Sequence, residues 1–155
     1  MPQSLAPIPQ GLPITDEQGA ATLFFLLRWQ DLITSFTQTP TVAKVNASGL
    51  TAALATTAIR TLTVAGDYEV GYYIQKTTAD GVSSSLTVTL SWTSNGIAQT
   101  RAFAALTTDT TGANQSAVMP IYADASTDVT IAVAYASNTP NTMAWLYRAT
   151  LKLCA

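Results

Sequence analysis

The chain has 155 residues, enough for one domain with a real core. Hydrophobic residues make up 48% and charged residues only 10%, well below the roughly one quarter usual in soluble domains; Ala, Thr and Ser fill the gap. A net charge of −2, with seven scattered basic residues and no histidine, excludes a basic nucleic-acid surface and removes the usual general base at neutral pH.

Residues 1–14 hold Pro2, Pro7, Pro9 and Pro13, with Leu5, Ile8, Leu12 and Ile14 between them. Proline fixes φ and removes backbone donors, so this stretch reads as an extended arm. Either it is a loose tail or its regular aliphatics lie on a partner. The second reading makes Leu5, Ile8, Leu12 and Ile14 anchoring residues. The start lacks the basic n-region of a secretory signal.

A helix is expected over 15–39. Thr15, Asp16, Glu17 and Gln18 form a capping box, with early acids where the helix dipole favours them. Thr37, Gln38, Thr39 and then Pro40 mark its end. The dense apolar run, Ala20 to Leu27, is too short to span a membrane, and Arg28, Gln30 and Asp31 follow it. Thr22, Leu26, Trp29, Ile33 and Phe36 recur in steps of four and three, the spacing of a helix that packs on other helices. Two readings stay open: docking on the chain's own sheet, or an oligomer seam through Leu26, Trp29, Ile33 and Phe36.

From residue 40 onward the period changes to two. Tyr68, Val70, Tyr72 and Ile74 alternate with other residues, as do Leu86, Val88, Leu90 and Trp92, and Val129, Ile131, Val133 and Tyr135. Such alternation predicts half-buried strands. Strands are expected near 42–47, 50–59, 67–77, 84–93, 96–106, 114–123, 127–136 and 143–153. Asn95-Gly96 between two of them predicts a type I′ hairpin. The fold class is mainly β: an antiparallel sandwich of about eight strands, jelly-roll-like, over residues 40–155. A short helix within "ASGLTAALATTAI" is the weaker alternative, because its threonines favour strand.

No catalytic, metal or cofactor constellation stands out. Asp67 and Glu69 share one strand face and read as a solvated edge rather than an acid pair across a cleft. Asp124 and Asp128 bracket a turn without the dense ligand spacing of a calcium loop. Cys154 is alone, so no internal disulfide can form. Trp92 and Trp145 read as core. A sugar platform would have to draw on Trp92, Tyr72, Tyr73, Trp145 or Tyr147.

Three stretches carry a resemblance: "AGDYEVGYYIQ" (65–75), "SSLTVTLSWTSNG" (84–96) and "DVTIAVAYAS" (128–137). Together they resemble a jelly-roll family found among bacteriophage virion proteins, over roughly the last two-thirds of the chain. The resemblance implies a small, often trimeric sandwich fitted to a phage head or tail by an N-terminal segment. No catalytic residue carries over from it. The expectation is therefore a homotrimer in the virion, assembled in the host cytoplasm. It would bind a phage capsid or tail protein and act as a capsid decoration or head-fibre protein. The alternative is a tail head that grips a host surface glycan. Neither nucleic acid nor membrane insertion is expected.

Overall fold

The computed structural model describes residues 41–137 and 143–154. In them the alternating runs form eight strands: β1 Thr41–Leu50, β2 Leu54–Thr61, β3 Gly66–Thr78, β4 Ser84–Ser94, β5 Ile97–Ala102, β6 Asn114–Ala123, β7 Asp128–Ser137 and β8 Ala144–Leu153. They make two four-stranded sheets, ordered β1-β8-β3-β6 and β2-β7-β4-β5. Every pairing is antiparallel. Among the described connections only β4–β5 is a hairpin within one sheet; the others pass between sheets. This pair of strand orders is that of a jelly roll.

Period two explains the layering. On β3, Tyr68, Val70, Tyr72 and Ile74 point inward and are buried, while Asp67, Glu69, Gly71 and Tyr73 face out. Leu86, Val88 and Leu90 of β4 and Val129, Ile131 and Val133 of β7 supply the opposing layer. Trp145, Tyr147, Ala149 and Leu151 of β8 fill the first sheet's inner face beside β3. The indole N–H of Trp145 donates to the Ala52 carbonyl at 3.1 Å, so burial of this ring strands no donor.

The hairpin follows its turn chemistry. Asn95 and Gly96 adopt φ of 52° and 75°, as a type I′ turn requires. Three boundaries differ from the expected ones by more than two residues: the end of β1, the start of β2, which is Leu54 rather than residue 50, and the end of β5. β1 continues through Gly49 at φ 68°, where the register with β8 shifts between Ala47 and Leu50. The glycine makes a bulge rather than a turn, because it adopts this conformation without a Cβ clash. β5 stops at Ala102 rather than 106. Phe103 leaves the strand and packs its ring edge-on against Tyr72, centroids 4.8 Å apart. The segment "ASGLTAALATTAI" forms strand on both sides of a short connection, with no helix.

Candidate functional site

The polar cluster of most interest sits inside one end of the sandwich. Lys76 is two residues beyond Ile74, so the pleat of β3 turns it inward, and it is 0% exposed. Ser84 is two residues before Leu86 on β4 and is turned inward by the same rule. The Lys76 ammonium donates to the Ser84 carbonyl at 2.9 Å and to Ser84 Oγ at 2.7 Å. Ser84 Oγ in turn donates to Asp109 Oδ1 at 2.8 Å. Lys76 Nζ and Asp109 Oδ1 are 3.9 Å apart, and the Asp109 side chain is only 15% exposed.

Asp109 lies in the β5–β6 connection, which is stitched down on both sides of it. Leu106 exchanges two backbone hydrogen bonds with Leu86 of β4. The Gly112 N–H donates to the Lys76 carbonyl at 2.8 Å, and the Lys76 N–H donates to the Ala113 carbonyl at 2.9 Å. Gly112 stands at φ 90°, a backbone that side-chain-bearing residues rarely adopt. Between these two stitches the loop holds its carboxylate over the lysine.

A second carboxylate belongs to the same end. Asp80, in the β3–β4 connection, accepts from the Val82 N–H and the Ser137 hydroxyl. Burial pushes the Lys76 amine below the usual lysine range, while Asp109 and then Asp80 act in the opposite direction. An open depression of about 250 Å³ adjoins the cluster, lined by Ser83, Ser84, Ser85, Thr107, Ala136 and Ser137.

Hydrogen-bond direction limits what this set can do. A serine nucleophile must hand its proton to a base. Here Ser84 gives its proton to Asp109 while Lys76 acts as donor, so the serine is not poised for acyl transfer. The arrangement is an ion pair bridged by a hydroxyl.

The residues singled out from sequence fall elsewhere. Leu5, Ile8, Leu12, Ile14, Leu26, Trp29, Ile33 and Phe36 lie outside the described residues, as do the arm and the helix assigned to them. Of the five aromatic residues named for a sugar platform, Tyr72, Trp145 and Tyr147 are buried in the core. Only Trp92 and Tyr73 keep part of their surface in solvent. The most exposed aromatic on the outer face is instead Tyr122 of β6, 43% exposed, near Val118 on the same strand. The sheet gathers no aromatic platform there. Asp67 and Glu69 do not lie on a sheet edge, because β3 sits between β8 and β6. They occupy its outer face, where Glu69 meets Lys152 at 3.3 Å, a solvent-exposed pair of small energetic weight.

Asp124 works as a turn former across strands. Its carboxylate accepts from the Asn95 N–H at 3.0 Å and the Gly96 N–H at 2.7 Å, clamping the β4–β5 hairpin. Asp124→Ala is expected to cost about 1 kcal/mol, since solvent can replace the two bonds, and to raise hydrogen exchange at those amides. Unchanged exchange there would show that the clamp is idle. Asp128 accepts from the Thr61 hydroxyl, tying β7 to β2. Among the described residues no group of three or more His, Cys, Asp or Glu side chains could hold a metal ion.

No family model matches the chain, and no curated protein matches it in sequence. Solved structures do match in shape. One contains the CBM22-1 and GH10 modules of an N-terminal endo-1,4-β-D-xylanase 10B from Clostridium thermocellum, complexed with xylohexaose. It is 9% identical with a TM-score of 0.38, over 61% of this chain and 18% of that one. Another is a carbohydrate-binding module from Cellvibrio mixtus lichenase 5A in complex with cellotriose. It is 8% identical with a TM-score of 0.37, over 75% of this chain and 91% of that one. This chain thus spans under a fifth of the xylanase chain. The likeness is one of β-sandwich shape and carries no inference about ligand or activity.

Proposed function

We propose that this chain is a non-enzymatic structural protein of a bacteriophage particle. In this reading it is a homotrimeric capsid decoration or head-fibre protein, held to a capsid protein through residues 1–39, with the sandwich facing outward. One observation carries the reading. The stretches that carry the virion-protein resemblance are β3, β4 with its turn, and β7, which are interior strands of a jelly roll. The sparse charge and hydroxyl-rich outer faces support it, as a surface suited to close packing in an assembly. So does the use of Lys76, Ser84, Asp109 and Asp124 in holding loops together.

Light scattering on the purified full chain is the direct test, with a mass three times that of the monomer expected. Trp29→Asp should dissociate the trimer to monomers and leave the far-ultraviolet signature of the sandwich unchanged. A wild-type chain that stays monomeric at high concentration would overturn the trimer. The glycan-binding alternative is tested by an array of surface glycans. The core placement of Tyr72, Trp145 and Tyr147 counts against it, and a saturable hit would overturn the structural reading.

A further inference from the structure

We propose that Lys76 and Asp109 condense to an intramolecular isopeptide bond, Nζ to Cγ, which locks the loop end of the sandwich. Four features carry the proposal, and none depends on the phage assignment. The amine is wholly buried, so it has no shell of bulk water to shed before it attacks. The carboxyl that faces it is mostly buried, and its Oδ1 stands 3.9 Å from the lysine nitrogen, so the amine and the carboxyl group are already neighbours. The loop carrying it is pinned on both sides, at Leu106 and at Gly112–Ala113, so the two groups are held together rather than meeting by diffusion. Finally, Ser84 Oγ touches both, at 2.7 Å from the nitrogen and 2.8 Å from the carboxyl oxygen.

The hydroxyl supplies a proton path. Lys76 passes a proton to Ser84 as Ser84 passes its own to Asp109, which converts ammonium and carboxylate to amine and acid. Burial favours the neutral amine. The amine nitrogen then attacks Cγ, and the Nζ–Cγ bond forms. The Cγ–O bond breaks, and the departing hydroxyl takes a second proton from nitrogen through the same path and leaves as water. Ammonium plus carboxylate become one amide and one water, with no oxidant and no other reactant. The adjoining open depression, walled by Ser84, gives the water an exit.

Peptide mapping decides the matter. Purified full-length protein is denatured and digested with trypsin. The chain has basic residues at 60, 76, 101 and 148 on either side of the two groups. A bond at Lys76 blocks cleavage there. The expected product is peptide 61–101 joined to peptide 102–148, lighter than their sum by one water. Lys76→Arg and Asp109→Ala should each restore separate peptides of full mass. Ser84→Ala should slow the appearance of the bond after refolding by at least about tenfold, the low end for a lost proton-transfer group. Complete cleavage after Lys76 in aged wild-type protein would overturn the proposal. So would a water loss confined within peptide 61–101, which would place the bond between Lys76 and Asp80. Full-rate bonding in Ser84→Ala would overturn the proton path.

Discussion

Trp145→Ala is expected to lower the stability of the sandwich by about 3–5 kcal/mol, the range for truncating a large buried aromatic. Trp145 has no exposed surface and lies on β8 between β1 and β3. Its neighbours are held by two ladders, so they cannot collapse far into the space left behind. The substitution also leaves the Ala52 carbonyl without its indole donor, although that carbonyl, in the β1–β2 connection, can turn to water. Urea denaturation followed by tyrosine and tryptophan fluorescence measures the loss. A cost under about 1 kcal/mol would mean that the ring is not packed as described. The contrast on the outer face is Tyr73→Ala, where only a partly exposed ring is removed and a smaller loss is expected.

Much of this architecture was legible in the residues. Alternation marked β3, β4 and β7 because each buries one face, so its pattern repeats every two residues, while turn residues bounded others such as β5, which is exposed on both faces. Asn95-Gly96 marked the hairpin because few other pairs tolerate positive φ twice in succession. Pairing was not legible. In a jelly roll most neighbours in a sheet are distant in sequence, as with β1 and β8, and alternation says which face a residue takes but not which strand lies beside it. The end of β5 was missed because Phe103 satisfies the alternating pattern while packing across to Tyr72 from outside the strand.

The buried cluster was half legible. Lys76 continues the phase of Tyr68, Val70, Tyr72 and Ile74, and Ser84 precedes Leu86 in phase, so a strict reading of period two turns both inward. Both lie inside the expected strands 67–77 and 84–93, but only the apolar residues of those strands were read as facing the core. Asp109 could not be found this way, since it comes from an irregular loop that only backbone bonds to Lys76 and Leu86 bring over the site.

That cluster sets the other large prediction. Measured against wild-type protein in which the Lys76–Asp109 bond has not yet formed, Asp109→Ala is expected to cost about 3–5 kcal/mol, the penalty for breaking a buried pair and leaving one charge behind. The stranded group is the ammonium of Lys76, which has no exposed surface and keeps only the Ser84 oxygens and the more distant field of Asp80. Lys76→Met added to Asp109→Ala should recover part of that loss, because an apolar chain of similar length suits the site once the carboxylate is gone. The pair of substitutions is therefore less damaging than Asp109→Ala alone. The pH dependence has a definite sign. Burial lowers the folded-state amine, and removing Asp109 removes the larger of the two influences that raise it. Between that lowered value and the ordinary lysine value of 10.5, the unfolded chain holds a proton that the folded chain has released. Stability of Asp109→Ala thus rises with pH across this window. The variant that also carries Lys76→Met has no such group and lacks the rise. Urea midpoints for both proteins at neutral pH and at pH values approaching 10 measure the difference. Parallel profiles for the two would show that Lys76 reaches solvent in Asp109→Ala and is not a buried ion there.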